Sequence, residues 1–209
     1  MQFDEASIGA LEGIIAEAAK AEIMPRFRKL ESSDVRQKSS AIDLVTEADV
    51  RAERAITAAL RERWPDALVV GEEAFAENPA VLDGLGEAEL AFVIDPVDGT
   101  FNFASGIPLF GVILAVVAKG ETVAGLIHDP VGNDTMAAVK GGGAWLRHND
   151  GGQTRVKVAE PAPFAQMTGG VGWGHFSGDE RLLVAKNQAK SLSSFNFRCA
   201  AHEYRLIAG

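Results

Sequence analysis

Apolar residues recur at helical spacing through residues 4–30, at Ile8, Leu11, Ile15, Ala18, Ala19, Ile23 and Phe27. The pattern predicts an amphipathic helix, interrupted near Met24-Pro25 because proline cannot continue the hydrogen-bond ladder. Residues 31–40 are polar and serine-rich and read as a mobile loop carrying Arg36 and Lys38. Thr46 and Asp49 stand at capping-box spacing. They open a second helix to about Arg63, with Ala52, Ile56, Ala59 and Leu60 facing inward. Leu68-Val69-Val70 predicts a short strand running into Gly71-Glu72-Glu73, and residues 78–89 read as a surface excursion with one helical turn. Phe92-Val93-Ile94-Asp95 predicts a buried strand that delivers a carboxylate to a sheet edge. Pro96 should stop that strand, and Val97-Asp98-Gly99 should turn.

After Pro108 the pattern changes to hairpins. Strands are predicted at 109–118, 123–127, 135–139 and 144–146, separated by glycine- and asparagine-rich turns. Residues 154–158 alternate strictly, so one face of that strand should be buried. An antiparallel meander under two N-terminal helices is an α+β layer. Pro161-Ala162-Pro163 marks a boundary, so residues 1–160 form an N-terminal α+β domain. Residues 161–209 then begin an α/β unit, with strands at 167–171 and 195–199 and helices at 179–187 and 200–208. That unit is small for independent stability, so the expectation is that it is incomplete and that the chain continues past Gly209.

Composition narrows the function class. A net charge of −9 argues against a large nucleic-acid footprint. A lone cysteine, Cys199, suits a reducing compartment. The first residues lack a basic stretch followed by an apolar core, and the apolar run at 109–118 is too short to span a bilayer. A cytoplasmic protein without a membrane partner is expected.

The chemistry concentrates on a few acids. Glu72 and Asp95 each end an apolar strand, and they converge if those strands are neighbours. Asp95-Pro96-Val97-Asp98-Gly99-Thr100 adds a second carboxylate and a backbone carbonyl at one turn. Hard divalent cations take oxygen ligands of this kind. For a single acid, a solvated strand end is the better reading; the combination favours a metal site. Clustered carboxylates repel and retain protons unless a cation is present. A phosphate ester is the natural substrate of such a site. Thr100 can orient the attacking water or cap a helix, and the N–H groups of Gly99 and Thr100 can hold phosphate oxygens.

Gly71-Glu72-Glu73 and the run from Asp95 through Gly99-Thr100-Phe101-Asn102-Phe103 resemble the signature of the inositol monophosphatase family. That family belongs to a lithium-sensitive, Mg²⁺-dependent superfamily that includes fructose-1,6-bisphosphatase. Lys38, Asp43-Leu44-Val45-Thr46-Glu47-Ala48-Asp49 and Lys140-Gly141-Gly142-Gly143-Ala144-Trp145 fit as well. The resemblance implies a layered αβαβα sandwich of the sugar-phosphatase type, a homodimer, and a phosphomonoesterase for small sugar or polyol phosphates. It implies two or three Mg²⁺ ions. Glu72, Asp95 and the Val97 carbonyl would hold the first metal, and Asp95 and Asp98 would share the second. Glu72 and Thr100 would activate water, with Asp49 supporting Thr100. Lys38 would lie on a mobile loop near a weaker third metal, although its position alone suggests a solvated lysine.

Two features depart from the family pattern. The third metal aspartate expected in a Trp-Asp motif does not occur before Gly209. Arg198-Cys199-Ala200 stands where the family has Gly-Ser-Ala or Gly-Thr-Ala against substrate hydroxyls. Arg198 therefore reads either as a reader of a second anionic group or as a surface arginine. These departures motivate an alternative, a member that binds or regulates without turnover. The four histidines lack zinc-ligand spacing, Cys199 reads as a packing residue, and residues 169–174 fail the dinucleotide pattern.

Overall fold

The computed structural model describes residues 4–31, 34–37, 44–172 and 176–209. Lys38 lies outside the described residues. Helix α1 (Glu5–Ala18) is capped by Asp4, whose carboxylate accepts the Ser7 N–H at 2.8 Å. It buries Ile8, Leu11, Ile15 and Ala18. The interruption falls earlier than Pro25. The ladder widens into a π-helical turn at Ala19–Ile23, closed by the Met24 N–H on the Ala19 carbonyl at 2.9 Å. The wider turn keeps Ala19 and Ile23 buried and ends the helix before proline would break it.

Strands β1 (Val35–Gln37) and β2 (Leu44–Thr46) form an antiparallel ribbon that leads into α2 (Glu47–Arg63). The Thr46/Asp49 capping box forms as expected. The chain then builds β3 (Leu68–Gly71), α3 (Glu72–Glu77), β4 (Ala91–Asp98) and α4 (Thr100–Ala104). Strands β5 (Gly111–Ala118), β6 (Glu121–Asp129), β7 (Asp134–Val139), β8 (Gly143–His148) and β9 (Gln153–Val156) follow as a meander. The sheet runs β3-β4-β5-β6-β7-β8-β9, antiparallel except for the parallel β3–β4 pair. Leu11, Ile15, Ile56 and Leu60 from the helices join Phe92, Ile94, Leu114 and Leu126 from the sheet in one buried core. Phe27, Phe103 and Phe110 extend it as an aromatic cluster, with ring centroids 4.9–5.7 Å apart.

Two strand expectations in this sheet are corrected. Strand β4 does not stop at Pro96. Its pairing with β5 skips from Asp95↔Ile113 to Asp98↔Gly111, so two residues of β4 oppose one of β5. Pro96 occupies this bulge, where a missing N–H costs no ladder bond. Strand β9 does not bury a face: it is the outer edge of the sheet, and Val158 beyond it is 59% exposed.

Strands β10 (Thr168–Gly170) and β11 (Ser193–Phe195) pair in parallel around α5 (Gly178–Gln188). The strand expected at 195–199 ends at Phe195 instead. Side chains capture the backbone beyond it: Asn196 Oδ1 accepts the Arg198 N–H at 2.9 Å, and Glu203 accepts the Phe197 N–H at 2.7 Å. Helix α6 (Ala200–Ala208) then packs against β5 and β6. The approach is close, since a Cβ added at Gly111 would lie 2.7 Å from the Ala201 Cβ. No described helix is long and apolar enough to cross a membrane.

His128 on β6 faces Thr135 on β7, with Nδ1 and Oγ1 3.0 Å apart. Burial holds the imidazole pKa below its usual 6.5. Above pH 6.5 both folded and unfolded chains carry it neutral. As pH falls below 6.5 the unfolded chain takes up a proton that the folded chain resists, so stability falls. Urea denaturation at pH 7.5 and 5.5 should show a smaller acid loss for His128→Gln than for wild type. Equal losses would contradict this assignment.

Candidate metal centre

Parallel pairing sets the site. Gly71 on β3 lies opposite Ile94 on β4, so the following residues, Glu72 just past the end of β3 and Asp95 within β4, come side by side. Glu72 is the first residue of α3. The start of this helix is held by Glu53, a buried residue on α2 whose carboxylate accepts the N–H groups of Glu73 at 2.7 Å and Ala74 at 2.9 Å. Gly71 permits that contact, because an added Cβ would lie 2.1 Å from the Glu53 Cδ. Sequence reading passed over Glu53. It follows Asp49 by four positions and precedes Ile56 by three, so it lies on the buried stripe of α2. A carboxylate there needs donors to offset its desolvation, and that is the signal that was available.

Asp95 is the least satisfied acid of the site. Its Oδ1 is buried and has no hydrogen-bond partner among the described residues. Burial, first, holds its carboxyl far above the usual range; the charges of Glu72 and Asp98, a hydrogen bond with Glu72 and the charge of Asp49 add to this. The Asp95 carboxyl, pushed up to about 9, therefore keeps its proton at neutral pH beside Glu72.

Thr100 sits beside this pair. Its hydroxyl lies 2.9 Å from the Val97 carbonyl and 3.1 Å from Asp49 Oδ1, and can donate to either. Asp49 is fully buried and also accepts the Thr46 N–H at 2.9 Å. Burial raises its pKa to about 7, against the lowering effect of the Thr46 hydrogen bonds. Asp49 thus caps α2 and holds Thr100 at once. Gly99, not Thr100, is the N-cap of α4, with a left-handed φ of 88°. A side chain at Gly99 would also meet the Leu109 carbonyl at 2.9 Å and the Cys199 Sγ at 3.2 Å.

Asp98 is placed differently. Its Oδ2 accepts the Ala201 N–H at 2.5 Å and the Cys199 thiol at 3.1 Å, so it caps α6. Cys199 is buried, and burial together with the Asp98 charge raises its pKa, which keeps the thiol neutral and unreactive. Ala200 is the first residue of α6. Arg198 is exposed and lies over the Phe101 ring. Asn102, another residue not singled out from sequence, is buried; its amide donates to the Leu109 carbonyl at 2.9 Å and the Phe197 carbonyl at 2.7 Å.

The structure therefore brings Glu72, Asp95, Val97, Thr100 and Asp49 together, while the Asp98 carboxylate is turned to α6. Among the described residues no three acid, histidine or cysteine side chains already form a metal cage. The donor set still fits a hard divalent cation. The orphaned buried oxygen of Asp95, the neighbouring Glu72 carboxyl and a nearby carbonyl oxygen are ligands that Mg²⁺ takes.

A model of the inositol monophosphatase family matches residues 5–208. A Thermotoga maritima fructose-1,6-bisphosphatase/inositol-1-monophosphatase is 34% identical over 139 residues, which is 66% of this chain and 49% of that protein. A Nus factor SuhB from Pseudomonas aeruginosa is 41% identical over 57% of this chain and 44% of its own length. A solved Thermotoga maritima IMPase superposes with a TM-score of 0.75 at 27% identity, covering 97% of this chain and 71% of that one. The aligned part of the chain spans about half of the length of these two sequence relatives. The layered α/β sandwich is shared with the solved structure.

Replacing Asp95 by Asn removes the ionisable group while keeping the side chain's shape. Since the folded state raises the Asp95 pKa, its ionisation weakens the metal-free fold as pH rises above the ordinary carboxylate value of 3.8. Asp95→Asn should stabilise the metal-free protein at pH 7 by more than about 1 kcal/mol, one unit of displacement being about 1.4 kcal/mol. It should also abolish the rise in Tm that Mg²⁺ gives wild type. A variant that melts lower without metal, or keeps the Mg²⁺ shift, would contradict the assignment.

Proposed function

The chain belongs to the inositol monophosphatase family, and from that premise we propose that it is a Mg²⁺-dependent phosphomonoesterase for a small sugar or polyol phosphate. The observation that carries this reading is the buried Glu72–Asp95 pair with its orphaned oxygen, set beside Thr100 and Asp49. Glu72, Asp95, the Val97 carbonyl and Asp98 would hold two or three Mg²⁺ ions, with Asp98 turning from its cap on α6. When bound, Mg²⁺ offsets the carboxylate repulsion, polarises the phosphate and lowers the pKa of water.

The chain's own groups do the rest. Glu72 accepts the proton of the attacking water. Thr100 orients that water through Oγ1, and Asp49 fixes the hydroxyl from behind. The N–H groups of Gly99 and Thr100 hold phosphate oxygens, and Cys199 and Ala200 flank the substrate. The ester P–O bond breaks as water adds, and the alcohol leaves with a proton. Lys38 belongs to this reading as a loop residue near the weaker metal. A homodimer and a cytoplasmic setting belong to it too, and the name of the Thermotoga relative supports the substrate class. The separate parallel β10–β11 pair supports reading residues 161–209 as the start of a second α/β unit.

A second reading is a member that binds or regulates without turnover. The name of the Pseudomonas relative and the engagement of Asp98 with α6 favour it. Family-typical phosphate release by the purified full chain would exclude it.

Thr100→Ala should lower kcat about 100-fold or more at saturating Mg²⁺, the scale of a lost proton-handling group. The Mg²⁺ concentration for half-activation should change far less. If metal affinity falls more than turnover, Thr100 is structural and the assignment of water orientation fails.

A further inference from the structure

Arg198 is held in an unusual posture. Its Cζ lies 3.6 Å from the Phe101 ring centroid. Its backbone takes a φ of 52°, a region few non-glycine residues adopt, and its N–H is tied to Asn196 Oδ1 at 2.9 Å. The next residue, Cys199, donates its thiol to Asp98 at 3.1 Å. Phe101 directly follows Thr100. Arg198 is therefore tied to the candidate centre from two sides, through Cys199 to Asp98 and through Phe101 to Thr100.

Its edge donors are unused among the described residues. Among the described residues no carboxylate and no carbonyl accepts a hydrogen bond from its guanidinium, although Glu72, Asp95 and Asp98 make the neighbourhood acidic. Stacking on a ring occupies the flat face of a guanidinium and leaves its edge donors open. Those donors form a planar fork that matches phosphate, and an arm already stacked loses little further freedom on binding. An arginine with its face covered, its edge open and its backbone fixed beside the proposed phosphate-hydrolysing centre is preorganised for an anion.

We infer that Arg198 is a specificity-determining residue that takes a second phosphate of the substrate, so the preferred class is a small sugar or polyol bisphosphate. This rests on the phosphatase reading. Phosphate at one end would be hydrolysed beside Glu72 and Thr100, while phosphate at the other end would be gripped by Arg198.

The test compares phosphate release by the full chain with Mg²⁺ on fructose 1,6-bisphosphate and on inositol 1-phosphate. Arg198→Ala should lower kcat/KM on the bisphosphate about ten- to hundred-fold more than on the monophosphate, through KM, the scale of a lost charge-assisted hydrogen bond. Arg198→Lys should fall between, because lysine keeps the charge without the planar stack, and Phe101→Ala should shift the ratio in the same direction. Equal falls on both substrates, or no fall, would overturn the inference. Calorimetric titration of fructose 1,6-bisphosphate into wild type and Arg198→Ala separates it from the parent reading. If wild type releases phosphate from neither compound, the phosphatase reading fails. Tenfold weaker binding by Arg198→Ala would even then support the anion site, and equal binding would overturn it.

Discussion

Two carboxyl groups delivered side by side by parallel strands are the constraint from which the site follows. Two unit charges about 4 Å apart repel by about 4 kcal/mol at an effective dielectric of about 20. The hydrogen bonds that Glu53 supplies to the start of α3 are each worth about 1–3 kcal/mol at most. Backbone support alone does not hold Glu72 and Asp95 together as two anions. Either a proton or a cation must stand between them. The register of β3 on β4 places them there, and the bulge at Pro96 lets β4 carry on to Asp98 without losing its hold on β5.

The same turn joins the two parts of the chain. Asp98 caps α6 through the Ala201 N–H, Cys199 packs against Gly99, and the Asn102 amide reaches the Phe197 carbonyl. The C-terminal segment is thus seated on the very residues that would bind metal. A cation drawing on the Asp98 carboxylate would compete with its hydrogen bonds to the Ala201 N–H and the Cys199 thiol. Gly99 matters twice here, for its left-handed backbone and for the room it leaves to Cys199.

Much of this arrangement is legible from residue order. Apolar runs leading to Glu72 and Asp95 announce two strands, although β4 carries on past Asp95 to Asp98, and the only further condition is that the strands be neighbours. The Thr46/Asp49 spacing announces a helix start, while the contact of Asp49 with Thr100 lies 51 positions away and leaves no local trace. Pro96 misleads because a bulge is a property of two strands, and the partner, β5, comes later in the chain. Residues 195–199 alternate like a strand, yet the side chains of Asn196 and Glu203 take the backbone donors first. Glu53 escapes notice because a lone glutamate on a helix is ordinary until its burial is known. The second role of Asp98, as a cap for a helix about 100 positions on, is of the same non-local kind.

Proton release on Mg²⁺ binding tests the central claim most directly. Calorimetric titration of the full chain with Mg²⁺ at pH 7, in buffers of differing ionisation enthalpy, counts the protons expelled. Close to one proton should be released with the first ion, because Asp95 gives up the proton it holds without metal. Binding with no proton release would show that both carboxylates are already ionised without metal, and would contradict a proton held at Asp95.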